Sequence, residues 1–133
     1  MFATKRLSSS CDLKAPDGSE VRLLLSLKGG SMAHFRLSPG EVSMAVMHRT
    51  VEEIWYVVAG GGTLWRDFDG REEMEELSVG LCVTIPLGTR FQFCASAGVG
   101  LEIVAVTMPP WPGDGEAVLV SGPWPPTLRR IPS

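Results

Sequence analysis

Hydrophobic positions in this chain fall in short runs separated by glycine and proline. Nine runs read as strands: Val21–Leu27, Ser31–Leu37, Val42–His48, Ile54–Ala59, Thr63–Phe68, Glu72–Val79, Leu81–Ile85, Phe91–Ala95 and Leu101–Thr107. Ile54–Ala59 (IWYVVA) is rich in the β-branched and aromatic residues that suit a pleated surface. The punctuation has a mechanism: proline presets one φ and glycine accepts a positive one. It falls at Pro16-Asp17-Gly18-Ser19, Gly29-Gly30, Pro39-Gly40, Gly60-Gly61-Gly62 and Pro86-Leu87-Gly88. Asp69-Gly70 is the strongest hairpin signal. The acidic cluster Glu72, Glu73, Glu75 and Glu76 could form one helical turn, but the stretch is too short to outweigh the hairpin. Residues 1–15 read as polar and irregular. Many short strands with turns between them predict an all-β sandwich or barrel.

After residue 107 the chain becomes Pro-rich. Residues 108–133 are expected to form an extended tail packed on the barrel through Trp111 and Trp124, because indole rings are poorly left in water. One domain is expected over 1–133, with its barrel core at about 21–107.

Composition narrows the classes. The 133 residues are 44% hydrophobic, enough to bury a core without metals or disulfide staples. A net charge of -3 leaves no excess of cations to displace counterions, which argues against nucleic acid or an anionic membrane as partner. Cys11, Cys82 and Cys94 form no CxxC pattern and no even set, so free thiols and a reducing, cytoplasmic setting are expected. Basic residues near the N-terminus are not followed by an apolar segment, so no secretory signal is read there. No apolar run is long enough to span a bilayer.

Two spaced patterns carry a resemblance. Gly40, Val46, His48, Glu53 and Gly60 stand as G-x5-V-x-H-x4-E-x6-G, and Gly80, Pro86, Gly88, Phe91 and Ala95 as G-x5-P-x-G-x2-F-x3-A. These resemble the two motifs of the cupin superfamily, G-x5-H-x-H-x3-4-E-x6-G and G-x5-P-x-G-x2-H-x3-N. The likeness covers roughly residues 21–107, and HRTVEEIWYVVAG looks like small single-domain bacterial cupins. It implies an all-β jelly-roll barrel, a double-stranded β-helix, and a homodimer. In metal-bearing members the two histidines of the first motif, its glutamate and the histidine of the second bind one divalent ion.

Here only His48 and Glu53 remain of those four positions. Val46 and Phe91 replace the other two, and neither side chain can coordinate a metal. His34 would complete the shell if its strand lay beside Val42–His48 with matching parity; Glu102, Glu52 and Cys82 are weaker alternatives. Residues two apart on a strand face one side. Met44, Val46, His48, Trp55 and Phe91 are therefore expected to line one cavity with Glu53, and Tyr56 to face outward. His48 and Glu53 are open to three readings: catalytic groups moving protons, ligands of a weakly held Fe, Zn, Ni or Mn ion, or a structural hydrogen-bonded pair. Arg49, Arg66 and Arg90 are read as solvated rather than anion-binding, and Cys82 and Cys94 as buried small hydrophobes.

The functional expectation is a small-molecule-binding cupin with a degenerate metal site. Two alternatives stand beside it: a metal-dependent dioxygenase or sugar-isomerase-like enzyme, and a dimeric interaction protein with a vestigial pocket. One superfold hosts many chemistries, so the ligand's identity does not follow from the motifs.

Overall fold

Ten strands account for the regular structure in the computed structural model, which describes residues 1–113 and 115–128. They are β1 (Leu13–Lys14), β2 (Glu20–Leu27), β3 (Gly30–Leu37), β4 (Val46–His48), β5 (Glu52–Phe68), β6 (Arg71–Ser78), β7 (Cys82–Ile85), β8 (Arg90–Ala95), β9 (Leu101–Met108) and β10 (Ala117–Leu119). All pairings are antiparallel. No helix among the described residues is long and apolar enough to cross a membrane.

The long strand β5 organises the barrel. Its first half, from Glu52 to Gly60, pairs with β9 and β7; its second half, from Gly61 to Phe68, pairs with β6 and β8. One layer therefore runs β1-β2-β3-β9-β5-β7, and the other β6-β5-β8-β4-β10. A register shift between Val57 and Ala59 lies just before the passage from one layer to the other at Gly60 and Gly61; such bulges bend a strand. The expected break at Gly60-Gly61-Gly62 is not a turn, so two predicted strands are one. The glycines serve close approach instead. A Cβ on Gly60 would collide with the carbonyl oxygen of Gly100, and one on Gly62 with that of Cys94. Absence of a side chain lets both neighbouring strands close on β5.

Other boundaries moved for similar local reasons. Asp69 and Gly70 both take positive φ, 52° and 82°, as a two-residue hairpin requires. Glu72–Glu76 accordingly belong to β6 and not to a helical turn. The predicted strand from Val42 is regular only over Val46–His48. Upstream, the Met44 amide donates to the Asp17 carbonyl at 2.9 Å and the Ser43 amide to Phe93 at 2.9 Å, which takes 43–45 out of the pleat. Within the stretch read as irregular, Leu13 and Lys14 pair with Val21 and Glu20.

The tail adds a strand that the sequence reading lacked. Its β10 covers β4, with Ala117 opposite His48, so β4 is no open edge. Further on, buried Gln92 holds the backbone of Trp124 through donor and acceptor contacts at 2.9 and 3.2 Å. Residues 114 and 129–133 of the expected tail lie outside the described residues. The core lies between the layers and includes Trp55, Leu64, Phe91, Phe93 and Ile103, each at most 3% exposed.

Candidate functional site

Strand parity brings the site together. Along β5, Glu53, Trp55 and Val57 point inward while Ile54, Tyr56 and Val58 are exposed. Thr107 stands directly opposite Glu53 on β9. Both oxygens of the Glu53 carboxyl are therefore engaged: Thr107 Oγ1 donates to Oε2 at 2.7 Å, and Trp55 Nε1 donates to Oε1 at 3.0 Å. Glu53 is 4% exposed, and burial of such a group without partners would be costly.

Val46 and His48 face the same side of β4, as their spacing requires, and both line a cavity of about 420 Å³ with Glu53, Trp55 and Phe91. The His48 ring is held edge-on by Phe91 and Trp111, each at 5.2 Å between centroids. Its Nδ1 is buried with no hydrogen-bond partner among the described residues. Of the three readings, the structural pair does not form: no hydrogen bond joins His48 to Glu53 among the described residues, and the glutamate's contacts go to Trp55 and Thr107. Met44 does not line the cavity either, since the irregular 43–45 segment turns it out of the pleat that carries Val46 and His48.

Asp17 is the group that the sequence reading missed. The turn Ala15–Ser19, with Gly18 at φ 94°, delivers it into the same cavity at 6% exposure. Its Oδ1 accepts from the Ser19 amide at 3.0 Å and the Ser19 hydroxyl at 2.7 Å. Burial raises its pKa above the usual 3.8, and the Glu53 charge adds to that; the Ser19 bonds and His48 pull the other way. In sequence this residue looks like any turn aspartate. Only the Asp-x-Ser pattern of a side chain capping its own turn hinted at order there.

His34 sits elsewhere. It alternates with Ala33 and Phe35, which line the cavity, and so lies on the opposite face of β3, cross-strand from Arg22 and Val104. Its Nε2 lies 2.9 Å from Glu102. Glu52 and Cys82 are exposed on the outer surface, which corrects the reading of Cys82 as buried; Cys94 is half-buried. Arg49 donates to Gly115 O at 2.8 Å, Arg66 to Thr84 O at 2.9 Å, and Arg90 is exposed. No lysine or arginine is among the described residues that line the cavity.

These donors do not fit the metal that the cupin pattern implies. A 2-His-1-carboxylate set needs a second nitrogen close to His48 and Glu53. Val46 and Phe91 occupy the two motif positions that would supply one, and His34 faces away. Among the described residues no group of three or more His, Cys, Asp or Glu is arranged to hold a metal.

No family model matches the chain, and no curated protein matches it. Solved structures do. A variant of oxalate decarboxylase from Bacillus subtilis superposes with a TM-score of 0.72 at 16% identity, over 90% of this chain and 34% of that one. CapF of Staphylococcus aureus, a capsular polysaccharide assembling protein, gives 0.67 at 16% identity, over 82% and 34%. Streptomyces PAC13, solved with uridine, gives 0.68 at 15% identity, over 90% and 92%. The chain spans about a third of the length of CapF and oxalate decarboxylase. A double-stranded β-helix protein from Klebsiella pneumoniae matches at 0.64. The chain thus has the cupin fold, as its two glycine-anchored motifs implied.

Proposed function

We propose that this barrel binds a small organic molecule whose polar group meets His48, Glu53 and Asp17, in the place where the metal-bearing pattern puts its ion. The observation that carries this reading is the 420 Å³ cavity, with aromatic walls and three nearly buried polar residues converging on it. Mostly apolar walls with a few placed polar groups are the usual make-up of a ligand site. Val46 and Phe91 make the site more apolar at the positions where ligands for a metal are lost. PAC13, similar in fold, has been solved with uridine, a small organic molecule. That likeness supports the class of ligand and not its identity.

Ligand-observed NMR tests the reading. Benzyl alcohol, an uncharged aromatic probe, is expected to receive saturation from the protein. Ala33→Phe, which places a ring in the cavity, is expected to abolish the transfer while the far-UV circular dichroism stays that of the parent. Equal transfer in both proteins, or none in the parent, would overturn it.

A further inference from the structure

We infer that the cavity is built for a small organic cation, a protonated amine on an apolar or aromatic body, and that Asp17 is one of its binding residues. This deepens the ligand-site reading and rests on it.

The charge of the walls is one-sided. Asp17 and Glu53 both line the cavity, and among the described residues no lysine or arginine does. Buried anions are normally paired, and an unpaired one is costly. Glu53 is partly compensated by the Trp55 and Thr107 donors. Asp17 has both Ser19 donors on Oδ1, while Oδ2 has no hydrogen-bond partner among the described residues. Asp17, Glu53 and His48 all line this one cavity.

Hydrogen-bonding capacity points the same way. An ammonium group has three donors and no acceptor. Asp17 Oδ2, which has no partner among the described residues, and the remaining lone pairs of Glu53 offer acceptors. A cation placed between the two carboxyls would be attracted by both and would let Asp17 ionise. The surrounding rings add to this. Trp55, Phe91, Phe93 and Trp111 all line the cavity, and a cation is attracted to the face of such rings within about 6 Å of the centroid. A carboxylate or phosphate ligand would instead bring a further anion to Glu53 with no lysine or arginine among the described lining residues to meet it.

Three probes of one shape separate the possibilities: benzylamine, benzyl alcohol and benzoate, titrated calorimetrically into the full chain at pH 7. Benzylamine is expected to bind at least about tenfold more tightly than benzyl alcohol, which corresponds to about 1.4 kcal/mol. Benzoate is expected not to bind. Asp17→Asn, which keeps the acceptor for Ser19, should remove the preference, so that benzylamine binds the variant no more tightly than benzyl alcohol binds that same variant. Benzylamine binding no tighter than the alcohol, benzoate binding as well as either, or an Asp17→Asn protein that holds the amine fully would overturn the inference while the ligand-site reading stands. Failure of all three probes to bind would overturn both.

Discussion

Val46 and Phe91 are cross-strand partners, one on β4 and the other on β8. Two of the three positions where the metal-bearing cupin pattern carries histidine are thus direct neighbours, and here they form a single apolar wall. Both are 1% exposed, and Phe91 packs edge-on to His48 and Trp55 at 5.2 and 5.5 Å. Phe91 therefore belongs to the core as well as to the cavity. Phe91→Ala should destabilise the protein by about 3–5 kcal/mol in denaturant unfolding, as large-to-small core changes do. A loss below about 1 kcal/mol would mean that the ring is not packed as described.

The contact between Thr107 and Glu53 carries a second expectation. Thr107→Val keeps the shape and removes the hydroxyl that donates to Oε2. Hydrogen bonds to charged groups contribute roughly 1.5–3 kcal/mol, so the variant should lose about 2 kcal/mol at pH 7. Glu53→Gln in the same background should narrow that loss, because the amide needs less compensation.

Asp17 sets a pH dependence with a definite sign. Its pKa is raised on folding from 3.8, chiefly by burial. Above 3.8 the folded chain thus holds more protons at this group than the unfolded chain does, and stability contributed by Asp17 falls as pH rises. Asp17→Asn removes the titration. Its melting temperature should exceed that of the parent at pH 7, and the gap should close toward pH 4. A gap that is constant with pH would show that the residue does not titrate differently in the folded state.

Gly62 tests the architecture itself. Any Cβ there meets the Cys94 carbonyl, which is backbone and cannot swing away. Gly62→Ala should cost about 3 kcal/mol, an overpacking penalty at the upper end of the usual range. Gly29, where an added Cβ meets nothing within 4 Å, is the control: Gly29→Ala should leave the unfolding midpoint nearly unchanged.

Much of the barrel could be read from the chain because strand parity is a local property. The inward set Glu53, Trp55 and Val57, and the joint orientation of Val46 and His48, follow from period two alone. The Asp69-Gly70 hairpin follows from its φ requirement. What escaped depends on contacts distant in sequence. Nothing near Gly60–Gly62 announces that Gly100 and Cys94 will press against it, so the glycines looked like a turn. The β10 strand is defined by its pairing with β4 and lies in a Pro-rich stretch that reads as loop. Asp17 is separated from Glu53 by 36 positions, and only the folded turn brings it to the cavity. His34 illustrates the opposite hazard. Its residue type fitted a missing ligand, but parity on β3 puts it on the outer face with Glu102.

Metal content separates an organic ligand site from a metal centre most directly. Untagged protein from medium supplemented with iron, zinc, nickel and manganese should be analysed by inductively coupled plasma mass spectrometry, beside His48→Ala. With Val46 and Phe91 where two ligands would stand, the expected content is well below one metal per chain in both proteins. A content near one per chain in the parent, lost in His48→Ala, would contradict the account and return the site to metal chemistry.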